Sequence, residues 1–133
     1  AHGLWSGQTP FTPGKDITPD NPYLAVITRA TIKLRMLRKF WAYVPTSQLD
    51  LENNPHLLFT AGVGEVPIVQ MATFSLWDDA EALRQFAYQH QHHRKAVEQT
   101  RQLGWYKEEM FSRFQPYRVT GCWRGFSVPD YLK

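Results

Sequence analysis

Hydrophobic and polar residues alternate most clearly in residues 24–34, which read LAVITRATIKL. Alternation with many β-branched residues is typical of a half-buried strand. It places Val26 and Ile32 on one face, and Ile27 and Arg29 on the opposite face. The next stretch, residues 35–44, spaces its apolar residues as one side of a helix does, and Pro45 is expected to end that helix.

The remaining periodic stretches complete a recognisable order of elements. We predict two strands at 56–63 and 68–76 joined by a turn, helical stretches at 78–88 and 91–103, and a final strand at 114–120. Strand, helix, strand, strand, helix, strand is the ferredoxin-like βαββαβ order. The predicted fold is therefore α+β, with an antiparallel sheet and helices on one face, of the dimeric α/β-barrel type. The other face then needs a second copy or another repeat to cover it.

Proline and glycine divide the chain into three parts. Residues 1–22 hold four of the nine prolines and three of the eight glycines, which predicts an extended arm held to the body by Trp5 and Phe11. Residues 23–120 form the predicted domain. Residues 121–133, with Pro129, form an irregular tail.

Composition narrows the classes of protein. A chain of 133 residues has room for one domain, and no apolar run approaches the length of a membrane span. The single Cys122 favours a reducing compartment, so we expect a cytoplasmic protein. A net charge of +3 is too small to demand nucleic acid, whereas 14% aromatic residues suit an apolar pocket or an interface.

The positive charge is unevenly distributed. No acidic residue lies between Asp20 and Asp50, a stretch that contains Arg29, Lys33, Arg35, Arg38 and Lys39. Such a patch suits phosphate, propionate or lipid headgroups, and it allows peripheral contact with a membrane. The alternative is a solvated helix face whose acidic partners come from elsewhere in the fold.

Three histidines, at positions 90, 92 and 93, lie close together where the second helical stretch begins. A zinc site needs three or four converging ligands, and no cysteine or second histidine pair supports one here. Helical phase places His90 and His93 on the apolar stripe and His92 on the solvent side. An inward imidazole in an aromatic pocket suits an axial ligand of haem iron, but the pattern alone favours a hydrogen-bonded core histidine. Arg29, in the middle of a strand, suits either an anion in a pocket or a carboxylate across an interface.

Several separate motifs resemble one family. They are LWSG (4–7), PF (10–11), LAVITRATI (24–32), FW (40–41), VP (44–45), GVGEVP (62–67), TFSLW (73–77), GW (104–105) and EEMFSRF (108–114). In this order they resemble the C-terminal part of the spheroidene monooxygenase family, which are haem-dependent oxygenases of carotenoid biosynthesis. Members of that family are longer, so the resemblance implies that an N-terminal repeat is missing from this chain.

The resemblance implies a site and its partners. His93 would be the axial ligand of haem b, with His90 as the fallback and Trp41 beside the cofactor. Arg29 and Arg113 would position a propionate or the bound oxygen. The implied partners are molecular oxygen, an apolar polyene such as a carotenoid, an electron donor, and a second copy or the missing repeat.

Two other functions stay open at this stage. One is a non-enzymatic module that binds a ligand or assembles subunits. The other is a cofactor-independent oxygenase in which His93 acts as a base.

Overall fold

The computed structural model describes residues 2–100, 104–123 and 125–133. Within that part, the side chains of residues 2, 46–48, 65 and 93–100 lie outside the description. The elements in chain order are β1 (His2–Gly3), β2 (Leu24–Ile32), α1 (Leu37–Glu52), β3 (Leu57–Val66), β4 (Gln70–Trp77), α2 (Ala80–Thr100) and β5 (Tyr106–Phe114). Short 3-10 turns occupy Leu34–Met36 and Asp130–Leu132.

The strands form one antiparallel sheet in the order β1-β5-β2-β4-β3. The register places Val26 opposite Ser75 on one side and Arg113 on the other. Without the two-residue β1, this is the four-stranded ferredoxin-like sheet, and the predicted α+β fold class is confirmed. β1 itself is an addition that the sequence did not predict, because proline and glycine dominate the arm.

Helices α1 and α2 cover one face of the sheet. Val26 of β2, Trp77 of β4 and Leu83 of α2 form one buried cluster on that face. A second cluster joins Ile32 to Phe40 of α1 and to Trp105. Because side chains alternate along a strand, the neighbours of Val26, namely Ala25 and Ile27, project from the opposite, helix-free face. Neither described helix has the length and the apolar character that crossing a bilayer requires.

The arm and the tail both pack against the helix-free face. Phe11 of the arm meets Phe114 edge to face, with ring centroids 4.9 Å apart. At the end of the tail, Leu132 is fully buried in a cluster with Ala25 and Leu76. These contacts cover part of the face that the sequence assigned to a partner.

Helix α1 is longer than the sequence indicates, and the prediction that Pro45 ends it is wrong. The helix runs through Pro45 to Glu52. A proline fits helical φ and removes one hydrogen bond, so it ends a helix only where packing does not hold the next turns. Here Leu51, beyond the proline, packs against the cluster around Val26 and Trp77.

Two further element boundaries differ from the prediction. The helical stretches at 78–88 and 91–103 are one helix as far as Thr100, since no glycine or proline separates them; residues 101–103 lie outside the described residues. The final strand is Tyr106–Phe114 rather than 114–120. Its interior reads KEEMFSR, a charged sequence that is not typical of a strand, and pairing with β2 and β1 holds it in the sheet.

Candidate active site

Aromatic rings fill the space between the helices and the sheet at the end where β5 begins. Trp105, which immediately precedes β5, is completely buried. Its ring centroid lies 5.0 Å from that of Tyr43 and 6.1 Å from that of Phe40, and both of these residues belong to α1. We call the set Phe40, Tyr43, Phe86, His90 and Trp105 the aromatic layer.

Helix α2 contributes His90 and Phe86, which lie four residues apart and therefore share one side of the helix. The two rings stack with an angle of 13° between their planes and centroids 5.8 Å apart. The imidazole of His90 also lies 6.3 Å from the ring of Tyr43, so it reaches from α2 to α1. The half-buried His90 therefore lies on the inner side of α2, as helical phase predicts.

Among the described residues, a polar atom of the aromatic layer stands out for having no hydrogen-bond partner. Within the described part of the chain, the Nε1 atom of Trp105 is buried and makes no hydrogen bond. A buried donor without an acceptor destabilises the fold, and such atoms usually mark a bound water or a ligand. The layer can therefore offer a hydrogen bond to an acceptor on an otherwise apolar ligand.

Of the other two histidines of the cluster, the structure describes the side chain of His92 but not that of His93. His92 is exposed and packs beside the exposed Tyr88, with ring centroids 5.1 Å apart. His93 is in the helix, but its side chain lies outside the described residues. Its assignment as the axial ligand, which the family resemblance implies, stays a prediction.

Arg29 lies on the other side of the sheet from His90. It is 2% exposed, and its Nη1 atom donates to Oε1 of Glu108 at 3.0 Å. Its guanidinium also lies 4.9 Å from the ring centroid of Trp5, in the arm. Because the sheet separates Arg29 from the aromatic layer, the structure does not bring it together with His90 around one cofactor.

Glu108 connects Arg29 to the arm. Its two carboxylate oxygens accept hydrogen bonds from the backbone N–H groups of Ser6, at 2.7 Å, and Gly7, at 2.8 Å. The hydrogen bond from Gly7, followed by those from Ser6 and Arg29, holds the pKa of Glu108 below its ordinary value, against an opposing effect of desolvation. Gly7 has a φ of +77°, a conformation that glycine adopts without strain. This cluster is a structural anchor for the arm.

The two other predicted site residues also lie apart from His90. Arg113 is exposed on β5, opposite Val26. Trp41 is 37% exposed, and its Nε1 atom donates to the backbone oxygen of Ile68 at 3.1 Å. Trp41 touches the aromatic layer through the edge of Phe40, with centroids 5.6 Å apart, but its ring points outward.

The sequence reasoning missed a histidine–aspartate pair. The Nδ1 atom of His56 lies 2.9 Å from Oδ1 of Asp78, and both side chains are partly exposed. His56 precedes β3 and Asp78 follows β4, and the pairing of Leu57 with Trp77 brings these ends together. The predicted hairpin could have indicated this pair, because in an antiparallel hairpin the residue before the first strand lies beside the residue after the second strand.

Surface grooves run on both sides of the His56–Asp78 pair. One, of about 310 Å³, leads from His56 and Asp79 to Phe86 of the aromatic layer. The other, of about 710 Å³, lies between the start of α2 and the arm, where Ile17 and Pro19 line it. A carboxylate that fixes the orientation of an imidazole is an arrangement that supports proton transfer.

Metal binding has little support among the described side chains. They contain no group of three or more histidine, cysteine, aspartate or glutamate residues that could hold a metal ion, and Cys122 is exposed. Haem iron needs only one imidazole from the protein, and the position of His90 among apolar rings fits such a ligand by its chemistry. Arg29 does not fit as a partner for a propionate of a haem held by His90, because it lies on the opposite face of the sheet and is paired there with Glu108.

Comparison with curated proteins confirms the resemblance seen in the sequence. The chain is 40% identical over 126 residues to spheroidene monooxygenase of Cereibacter sphaeroides, a match that covers 94% of this chain and 39% of that protein. It is 36% identical over 127 residues to spheroidene monooxygenase of Rhodobacter capsulatus, covering 94% and 52% respectively. The chain thus spans about half the length, or less, of these relatives. No family model matches the chain.

Solved structures support the fold. SnoaB from Streptomyces nogalater, described as a cofactor-independent oxygenase, superposes with a TM-score of 0.54 at 12% identity, over 74% of this chain and 96% of its own. A conserved protein from Methanosarcina mazei superposes with a TM-score of 0.57 at 11% identity, over 71% of this chain and 93% of its own. At these identities the likeness concerns the fold alone. By sequence, the chain is similar over nearly its whole length to a part of proteins named spheroidene monooxygenase.

Proposed function

We propose that this chain is part of an oxygenase that inserts oxygen into an apolar polyene such as a carotenoid. The similarity to proteins named spheroidene monooxygenase supports both the reaction class and the substrate class. The structural observation that carries the proposal is the aromatic layer, in which the unpartnered N–H of Trp105 and the imidazole of His90 lie among apolar rings. Phe40 and Trp105 are buried in this layer, so a long apolar molecule would enter it by displacing packed side chains, and few polar groups would then direct it.

The chain's own residues have distinct roles in this proposal. Phe40, Tyr43 and Phe86 pack against the polyene and exclude water. The N–H of Trp105 donates to an oxygen of the substrate or product. In a monooxygenase reaction one oxygen atom enters the substrate and the other leaves as water, so two electrons must come from an electron donor.

His93, with His90 as the fallback, would hold haem b, which activates molecular oxygen when it is bound. Arg29 has no part in this site, because the sheet separates it from the aromatic layer. A role of Arg113 in positioning a propionate or the bound oxygen stays a proposal that rests on the family resemblance. A second copy or a preceding repeat is proposed to cover the rest of the sheet.

The alternative reaction needs no haem. SnoaB, which shares the fold, is described as cofactor-independent, and an imidazole in an apolar layer is a suitable base for such chemistry. In this version the substrate is not a plain polyene but a molecule whose carbanion is stabilised by a conjugated oxygen, and His90 or His93 removes the proton that forms it. The carbanion adds O₂ to give a peroxide, which loses water and leaves one oxygen atom on the substrate, so the substrate itself supplies the electrons.

One experiment separates these functions. The purified chain is mixed in detergent under ¹⁸O₂ with a carotenoid or with an anthrone, whose carbanion is stabilised, each with and without hemin and a chemical reductant, and labelled products are measured by mass spectrometry. Product that requires hemin supports the haem oxygenase, and product without hemin supports the alternative. Carotenoid binding that quenches tryptophan fluorescence without any labelled product indicates a non-enzymatic module.

Three histidine variants test the ligand assignment. We expect His93→Ala to abolish or shift the Soret band of hemin-loaded protein, and His92→Ala, an exposed control on the same helix, to leave it unchanged. Loss of a structural imidazole lowers stability by about 1–3 kcal/mol but preserves the spectrum. If His93→Ala keeps an unchanged spectrum while His90→Ala shifts it, the ligand is His90.

A further inference from the structure

The edge of the molecule formed by the start of α1 and the β3–β4 turn exposes apolar side chains. Leu34 is 74% exposed and Ile68 is 59% exposed. Trp41 and Val66 are also exposed, although each is large and apolar. We call Leu34, Arg38, Trp41, Val66 and Ile68 the docking surface.

These residues belong to one continuous surface. Leu34, Arg38 and Trp41 follow each other at spacings of four and three, which places them on one side of the helical segment. The hydrogen bond from Trp41 to the backbone oxygen of Ile68 joins this segment to the turn. The end of β2 is held to the same turn, because the N–H of Ile32 donates to the oxygen of Val69 at 2.9 Å.

The turn holds Ile68 in a costly conformation. Its φ is +75°, a region that β-branched residues almost never adopt, since the side chain crowds the backbone. A glycine or asparagine would relieve that strain. Both the exposure of the Ile68 side chain and the strain in its backbone disfavour folding. A residue kept despite both costs points to an interaction at this surface.

Positive charge surrounds the docking surface. Arg35, Arg38 and Lys39 are exposed, and no ion pair links them to an acidic side chain in the described part of the chain. The sequence left open whether acidic residues elsewhere in the fold pair with these cations. Within the described residues, none does. The same β3–β4 hairpin contains one acidic residue, Glu65, whose side chain lies outside the described residues.

We propose that the docking surface binds the headgroup region of an anionic lipid bilayer. Tryptophan, leucine and isoleucine beside arginine and lysine form the combination that inserts shallowly into a membrane interface. The basic residues would contact anionic headgroups, and the apolar residues would enter the boundary with the acyl chains. The charge complementarity favours lipid over a second copy of this chain, because two equally basic surfaces repel each other.

Vesicle binding tests the proposal without substrate or oxygen, so its failure leaves the proposed oxygenase reaction unaffected. We expect the chain to sediment with vesicles of phosphatidylglycerol and phosphatidylcholine and not with phosphatidylcholine alone. High salt should weaken this binding, because 1 M salt shortens the Debye length to about 3 Å. Removal of one cation by Arg38→Gln should lower the partition coefficient by roughly fivefold. Arg84→Gln, at an exposed arginine on α2, is the matched control.

The apolar contribution has its own variants. Leu34→Ser and Ile68→Asn should each lower binding several-fold, whereas Ile17→Ser, at an exposed isoleucine of the arm, should not. Ile68→Asn should also raise the melting temperature, so a loss of binding by this variant cannot be attributed to unfolding. Quenching by brominated lipid should be larger for the wild-type chain than for Trp41→Phe.

Two results would overturn the proposal. One is equal binding to neutral and anionic vesicles by the wild type and all variants. The other is the absence of binding to either vesicle. If Leu34→Ser instead abolishes self-association in the absence of lipid, the surface is an interface between copies.

Discussion

Glu108 shows how one carboxylate links the arm to the sheet. It accepts hydrogen bonds from Ser6, Gly7 and Arg29, and these contacts lower its pKa in the folded chain. A group whose pKa is lower in the folded state stabilises the fold above its unfolded pKa, about 4.3 for glutamate. That contribution is lost as the pH falls through the lower folded pKa.

We therefore expect Glu108→Gln to lower the melting temperature at neutral pH and to flatten its decline in acid. The amide also removes the negative charge of Glu108 beside the buried guanidinium of Arg29, which adds to the destabilisation. Thermal melts recorded between neutral and acidic pH measure both effects. Asp16→Asn, in the exposed part of the arm, is the control. A parallel pH profile for Glu108→Gln and the wild type would mean that the anchor does not form.

Helix α1 is the element in which local propensity and packing disagree. Pro45 is exposed and lies within the helix, where it cannot donate to the backbone oxygen of Trp41. We expect Pro45→Ala to raise stability by about 1–3 kcal/mol, which is a rise of at least about 3 °C in melting temperature. Leu49→Ala, at another exposed position of the same helix, should change it little. A lower melting temperature for Pro45→Ala would show that the packing of Tyr43 and Val44 depends on a bend at the proline.

The order of elements could be read from the sequence, whereas their exact ends could not. Alternation in β2 and apolar spacing in the helices are properties of single segments, so they predict type and order. The extension of α1 beyond Pro45 depends on Leu51 reaching a core built from distant strands. The assignment of β5 depends in the same way on pairing with β2, which a local pattern does not contain.

The candidate site was partly predictable for a related reason. Helical phase correctly placed His90 inward and His92 outward, because both belong to one helix. The alternation in β2 likewise separates Arg29 from Val26, and the contact between Val26 and Leu83 of α2 shows that the helices cover the face of Val26. The family resemblance groups Arg29 with the histidines, although the sheet separates them.

For the molecule as a whole, the tail is part of the core. Leu132 is completely buried, whereas its neighbour Tyr131 is half exposed. Removal of a buried leucine side chain costs about 2–5 kcal/mol, so we expect Leu132→Ala to destabilise the chain by an amount in this range. Tyr131→Ala is the control and should cost much less. Denaturation in urea measures both, and equal effects of the two substitutions would mean that the tail does not pack on the sheet in solution.

The helix-free face also predicts how copies of the chain meet. The arm and the tail cover part of this face, but Val63 and Phe74 remain 58% and 36% exposed. Apolar surface of this kind on a sheet tends to be buried against another molecule. We therefore expect the chain to self-associate as its concentration rises, as measured by light scattering after size-exclusion chromatography. Val63→Lys should weaken the association, because it places a charge in the contact, whereas Tyr117→Lys, at a side chain that is 89% exposed, should not. A monomer at every concentration would mean that the arm and the tail already cover enough of the face.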